Sequence, residues 1–275
     1  MKSSGIRKLT GSILLIVCLV WPVITSGAQS DTLRFLTMRP GYSWMQGRDV
    51  GMSPLLYSGG HFHGQIGLEK TKNRCYKVLQ LDLTFGEMTT TSLPKGRRSR
   101  ALSGRVQMNY AQQYNLKSWK DGRLQWFLGG SWMNFLTLRF HQRYLNNSLN
   151  YEFSSAIGPS SSLRYKTELF GKPYECFVRM DIPLLAFNLR PSFASSIPEG
   201  YIAQERSDVR AFFDSGRLQT LNRFFRVRNE LGIARVLNNK NRLVISYVWD
   251  FYHISHIHPV DVAQHQILIG WYFSF

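Results

Sequence analysis

The stretch Gln266-Ile-Leu-Ile-Gly-Trp-Tyr-Phe-Ser-Phe275 has an apolar or aromatic residue at every second position. The members of this row are Ile267, Ile269, Trp271, Phe273 and Phe275. Successive side chains of a strand point to opposite faces, so the spacing predicts a β-strand with one face against an apolar medium.

The same alternation recurs through the chain. Apolar rows run through residues 77–86, 102–112, 149–157, 225–233 and 242–253. Charged residues alternate with these rows, and a charge that faces lipid is costly, so we expect them to line an interior as ion pairs. These residues are Arg105, Glu152, Arg179, Asp181, Arg226, Arg228 and Glu230.

A final strand that ends in phenylalanine resembles the closing strand of bacterial outer-membrane β-barrels. In that family the terminal aromatic residue is the assembly signal, which implies the barrel-assembly machinery as a partner. The resemblance predicts an all-β, transmembrane, antiparallel up-and-down barrel of ten to twelve strands. Residues 31–57 leave the number open, because Pro40-Gly41 and Ser53-Pro54 interrupt their strand pattern. Such a barrel is narrow, which disfavours a general porin.

Residues 1–28 combine a basic start, an apolar run and small residues before a cleavage position at Ala28. This pattern predicts a secretory signal peptide, followed by a barrel domain over residues 29–275 in the outer membrane. No later stretch is apolar for the ~20 residues that a spanning helix needs. Export makes nucleic acid an unexpected partner despite the net charge of +17.

Basic residues concentrate in residues 94–100 and 191–223. Arginines bind phosphate groups well, so lipopolysaccharide is an expected partner. Strand counting puts residues 95–100 on the periplasmic side. The segment 191–223 is predicted as the longest extracellular loop, where protein partners could also bind, unless it contains another hairpin.

Two cysteines follow the leader, Cys75 and Cys176. A disulfide is permitted outside the cytoplasm, but the sequence does not place the two together. Cys176 is in phase with the apolar residues Val178 and Met180, which favours a free, lipid-facing thiol.

A polar cluster lies at the top of the penultimate strand. His253 and Ser255 are two residues apart, so they share the lipid-facing side of that strand. A histidine beside a hydroxyl is the pairing that nucleophilic attack on an ester needs. The third member, which would orient His253, is either His265 on the last strand or Asp261 in a predicted loop over residues 254–263.

This His-x-Ser pattern resembles the lipid A 3-O-deacylases and the outer-membrane phospholipases A. The resemblance implies an acyl-ester hydrolase in which Ser255 attacks and His253 takes its proton. It implies no cofactor, except that Ca²⁺ contributes at the membrane face in the phospholipase family. Two positions depart from the pattern: His265 stands where a carboxylate is expected, and His256 stands where asparagine usually follows the serine.

Three other interpretations remain open. The histidines of residues 253–258 could form a polar loop at the headgroup level. His256, His258 and Asp261 could hold a transition metal with additional ligands. The protein could also be a non-enzymatic narrow channel or an accessory subunit of an outer-membrane complex. A separate pair, His61 and His63, alternates with apolar residues and is expected to face the lumen.

Overall fold

The computed structural model describes residues 32–94, 98–141, 148–190, 216–256 and 258–275. The predicted signal peptide lies outside these residues. Within them no helix is long and apolar enough to cross a membrane. The elements are β1 (Thr32–Asp49), β2 (Ser53–Lys72), β3 (Cys75–Thr90), β4 (Arg100–Trp119), β5 (Leu124–His141), β6 (Leu149–Leu169), β7 (Lys172–Asp181), β8 (Leu185–Leu189), β9 (Arg217–Thr220), β10 (Phe224–Val236), β11 (Arg242–Ile254) and β12 (Val260–Ser274).

Ten of these strands close an antiparallel barrel. Its order runs from β1 to β7 and on through β10, β11 and β12, and β12 pairs with β1 to complete the ring. This confirms the predicted fold. The short strand β8 continues the path of β7 and pairs with residues 153–157 of β6. The short strand β9 precedes β10 and pairs with β8.

The break between β7 and β8 lies at Pro183. Proline has no N–H to donate, so it interrupts the ladder. The neighbouring amides restore it, because Ile182 N donates to Pro159 O at 3.1 Å and Leu184 N donates to Ile157 O at 2.9 Å. β7 and β8 therefore follow one path along β6.

The two ends of the barrel differ. At the short-turn end, residues 73–74, 120–123, 170–171 and 237–241 connect the strands. At the opposite end, which we call the long-loop end, residues 50–52 connect β1 to β2, and the longer stretches of sequence between β3 and β4, β5 and β6, β8 and β9, and β11 and β12 lie only partly within the described residues. Gly171 has φ +66°, a conformation that glycine adopts without strain. Barrels of this kind have short periplasmic turns and longer external loops, which orients the chain.

Two sequence predictions need correction here. Arg98 to Arg100 lie at the long-loop end, so the periplasmic placement was wrong for these three residues of the segment 95–100; residues 95–97 lie outside the described residues. The cause is β5, whose outward apolar row is interrupted by Gly130 and Asn134, so that the alternation misses this strand. A missed strand moves the connections that precede it to the opposite end of the barrel. The predicted loop over residues 254–263 is also shorter, because Ile254 pairs with Phe224 and β12 begins at Val260.

The outer wall is apolar. Exposed side chains include Ile267, Ile269, Trp271 and Phe273 on β12, as the alternation predicted. Trp44, Trp132 and Trp271 are exposed on the same wall, and Trp249 is partly exposed. Tryptophan and tyrosine favour the membrane interfaces, so this wall is suited to lipid.

The lumen is filled with buried ion pairs. The seven charged residues that the sequence assigned to the interior are all buried, which confirms that prediction. Arg226 pairs with Asp250 at 2.6 Å, and Arg139 pairs with Asp49 at 3.0 Å. The guanidinium of Arg105 also lies 4.3 Å from the ring centre of Phe135.

Apolar layers lie above and below this network. Met45, Tyr57 and Phe135 belong to the layer near the long loops, and Phe35 and Tyr272 belong to one near the short turns. Two cavities among the lumenal side chains measure ≈ 20 and ≈ 10 Å³, each about the space of one water molecule. The described residues therefore form a packed interior.

Candidate active site on the outer wall

The pairing of β11 with β12 brings together two polar residues of the long-loop end. His253 lies opposite Asp261 in the register, and His253 Nδ1 is 2.7 Å from Asp261 Oδ1. Both side chains are about one-third exposed. A carboxylate on Nδ1 fixes the ring orientation and leaves Nε2 for proton exchange.

A third strand extends this row. Arg48 of β1 lies opposite Asp261, and its guanidinium donates to Asp261 Oδ2 at 3.0 Å. Each carboxylate oxygen of Asp261 therefore has its own partner. These two contacts hold the carboxylate in place on the outer wall.

Ser255 follows the last residue of β11. Its amide donates to Arg223 O at 2.9 Å, and its hydroxyl donates to the same carbonyl at 3.2 Å. Among the hydrogen bonds of the described residues, the Ser255 hydroxyl makes this one and none to His253. The proposed base and nucleophile are therefore not hydrogen-bonded to each other in this structure.

His265 has a different environment. It lies opposite Trp249 in the register, and its Nδ1 is 2.6 Å from the hydroxyl of Tyr247. Four residues along β12 separate it from Asp261, which is about 13 Å at the rise of a strand. Of the two predicted orienting residues, Asp261 contacts His253 and His265 does not.

Aromatic side chains lie next to the pair. Phe225 of β10 is opposite His253, and Phe251 lies two residues below it on β11. The rings of Phe225 and Phe251 are 6.2 Å apart, and Trp249 stacks on Phe251 at 6.3 Å. Tryptophan favours the boundary between lipid tails and headgroups, and Trp249 lies on the same outward row of β11 as His253, so we expect the His253–Asp261 pair near this boundary.

The other histidines take separate positions. His61 and His63 are buried in the lumen, as predicted, and His63 Nδ1 is 3.0 Å from Thr84 Oγ1. Within the described residues, no group of three histidine, cysteine or acidic side chains is arranged to hold a metal. Cys75 and Cys176 are free thiols.

Sequence reasoning missed Arg48 and Arg223. Both contact the predicted site but lie far from it along the chain, and no local pattern distinguishes them from other arginines. The strand register brings Arg48 opposite Asp261. Only knowledge of which strands are neighbours could have found it.

The apolar wall around an ion-paired interior defines the chain as an integral β-barrel membrane protein, of the kind found in outer membranes. No family model matches the sequence, and no curated protein matches it.

Solved structures with a similar fold include the outer membrane protease OmpT from Escherichia coli, with 4% identity, a TM-score of 0.46, and 92% of this chain and 99% of that chain covered. The beta domain of the Bordetella autotransporter BrkA has 12% identity and a TM-score of 0.39, and the match covers 87% of this chain and 100% of that chain. The translocator domain of the autotransporter NalP from Neisseria meningitidis has 9% identity and a TM-score of 0.32, and the match covers 97% of this chain and 96% of that chain. Similarity at this level transfers no residue role or activity.

Proposed function

We propose that this protein is an acyl-ester hydrolase of the outer membrane, acting from its outer wall on lipid A or a phospholipid. The observation that carries the proposal is the hydrogen bond of 2.7 Å between His253 Nδ1 and Asp261 Oδ1. An orienting carboxylate on this nitrogen is the arrangement of a serine hydrolase triad. The pair faces lipid beside an aromatic boundary, where acyl esters lie.

Ser255 is the nucleophile in this proposal. Its hydroxyl leaves the Arg223 carbonyl, transfers its proton to His253 Nε2 and attacks the acyl carbonyl carbon. The ester C–O bond then breaks, and the imidazolium returns the proton to the leaving alcohol. Water, activated by the same imidazole, releases the fatty acid from Ser255.

Hydrolysis by these residues needs no cofactor. The resemblance to phospholipases A raises Ca²⁺ as a candidate at the membrane face. Asp261 already accepts from both His253 and Arg48. A cation bound to this carboxylate would have to displace one of them, which does not fit the residues present.

Lipopolysaccharide is the proposed partner on this side of the membrane. Arg48, Arg100 and Arg223 are exposed at the long-loop end. Arginines at the headgroup level can bind phosphates through two parallel hydrogen bonds. Contacts of this kind would hold a lipid A molecule against the wall while its ester reaches His253.

The test compares lipid A and phospholipids by mass spectrometry in cells that make the native protein, Ser255→Ala or His253→Ala. We expect deacylated species with the native protein and a loss of about 10³-fold or more in either variant. His265→Gln is the matched control: it removes an outward histidine that contacts Tyr247, and deacylation should persist. Unchanged acylation across the set, with normal barrel assembly, would reject the hydrolase.

One observation favours a second candidate, a non-enzymatic accessory subunit. The Ser255 hydroxyl is bonded to the Arg223 carbonyl, which is a structural role at the end of a strand. Partners would then bind through residues 191–223. Crosslinking at exposed Arg217 should trap a defined protein in this case, while lipid profiles stay unchanged in the Ser255→Ala strain.

A further inference from the structure

Four cationic side chains line one pocket at the short-turn end, on the outer side of the barrel. Lys70, Lys72, Arg74 and Lys77 surround a space of ≈ 410 Å³ together with Tyr114. We call these four residues the cation cradle. It lies at the end of the barrel opposite the His253–Asp261 pair.

The strand register forces some of these charges together. Lys70 of β2 lies directly opposite Lys77 of β3, and like charges in this position repel. Arg34 and Lys72 add further positive potential at Lys70. The neighbouring outward pair, Leu68 and Leu79, is apolar, so the positive charge is concentrated at the end of the apolar wall.

The acidic residues of this region point the other way. Glu69 and Glu175 are buried on the lumenal side, and Arg164 lies near both, at 3.8 and 3.2 Å. The side chain of Arg242 also pairs with Glu175 at 3.0 Å. Glu69 and Glu175 therefore pair with arginines inside the barrel and not with the cation cradle. The positive charge of the cradle is available to an external anion.

An apolar groove of ≈ 640 Å³ adjoins the cradle on the same wall. Gly130 and Gly158 form part of its lining, and Ile157 and Leu184 provide apolar sides. The cradle and the groove share two lining residues, Gln112 and Tyr114. The cation cradle therefore continues into the apolar groove on the outer wall.

We infer that the cradle and the groove together bind one anionic glycerophospholipid of the membrane leaflet that faces the short turns. Its phosphate lies among Lys70, Lys72, Arg74 and Lys77, and an acyl chain runs along the groove past Gln112. Basic residues at the membrane surface attract anionic headgroups. The adjoining apolar groove selects a lipid over a free phosphate ion or an acidic protein.

Native mass spectrometry of the purified barrel tests this inference, with phosphatidylglycerol as the probe and phosphatidylcholine as the neutral comparison. The double variant Lys70→Gln/Lys77→Gln should lower phosphatidylglycerol affinity by about 30-fold. Lys117→Gln/Lys120→Gln removes the same charge at another short turn and should change affinity by about two-fold or less.

A second variant tests the groove separately. A Cβ atom at Gly130 would have Gly158 O at 3.8 Å as its neighbour, an ordinary contact, and Gly130 lines the groove. We therefore expect Gly130→Leu to fold and to place its side chain in the groove. We expect it to weaken phosphatidylglycerol binding although the cradle is intact. Equal affinity in Gly130→Leu, or full competition by inorganic phosphate, would reduce the site to an anion site and overturn the lipid assignment. Equal affinity in the double lysine variant would overturn it as well.

Discussion

Two aspartates of the β11–β12 hairpin have opposite environments. Asp250 faces the lumen, is buried, and binds Arg226 through both carboxylate oxygens at 2.9 and 2.6 Å. Asp261 faces the outer wall, is one-third exposed, and binds His253 and Arg48. The chemistry of the two contacts is similar, and their burial differs.

Charged residues in the lumen therefore stabilise the barrel, whereas charged residues on the outer wall are available to a ligand. A buried pair cannot lose one member cheaply, because the other is left charged and without water. The outer pair is about one-third exposed and lies at the headgroup end of the wall, where water reaches it, so it contributes little to stability. Three substitutions, in order of expected effect, test this contrast.

Asp250→Ala should have the largest effect. It leaves the buried charge of Arg226 without its partner, and we expect the free energy of unfolding to fall by about 3–5 kcal/mol. Urea unfolding in lipid vesicles, followed by gel migration of folded and unfolded barrel, measures it. The double variant Arg226→Met/Asp250→Leu should recover most of the loss. A variant as stable as the native protein would refute the view that lumenal pairs hold the barrel.

Ile269→Arg should have an intermediate effect. Ile269 is exposed in the middle of the outward row of β12, and an arginine at this depth costs about 2–4 kcal/mol. His265→Arg is the matched control on the same row, near the membrane boundary, and should cost about 1 kcal/mol or less. The same unfolding assay measures both variants. Equal losses of unfolding free energy would mean that Ile269 does not lie deeper in the membrane than His265.

Asp261→Asn should have the smallest effect on stability. Because the contacts to His253 and Arg48 are partly exposed at the headgroup end of the wall, where water reaches them, we expect a change of about 1 kcal/mol or less in the free energy of unfolding. The proposed deacylation, by contrast, should fall strongly in the same variant. A loss of stability as large as that of Asp250→Ala would make the outer pair structural and would count against the hydrolase.

Much of the fold was predictable because its signal is local. The alternation along β4, β6 and β10 indicates which residues face lipid, and the buried charges Arg105, Glu152 and Arg226 follow from it. β5 was missed because Gly130 and Asn134 interrupt its outward apolar row. The end of a strand is also hard to predict, and Asp261 was therefore assigned to a loop.

The site was predicted only in part. Shared parity placed His253 and Ser255 on one side of the strand. The choice between Asp261 and His265 depended on the register of β11 against β12, which is set by hydrogen bonds between the strands. The bond from Ser255 to Arg223 O lies beyond any periodic pattern, because it forms where the strand ends.

The placement of the tryptophans makes the barrel a spectroscopic reporter of its own insertion. Trp44, Trp132 and Trp271 are exposed on the wall that meets lipid. Their fluorescence should therefore shift to the blue when the chain enters a bilayer. Lipids with brominated acyl chains should quench this fluorescence according to the depth of each tryptophan in the bilayer. The quenching therefore reports how far the outer wall has entered the membrane.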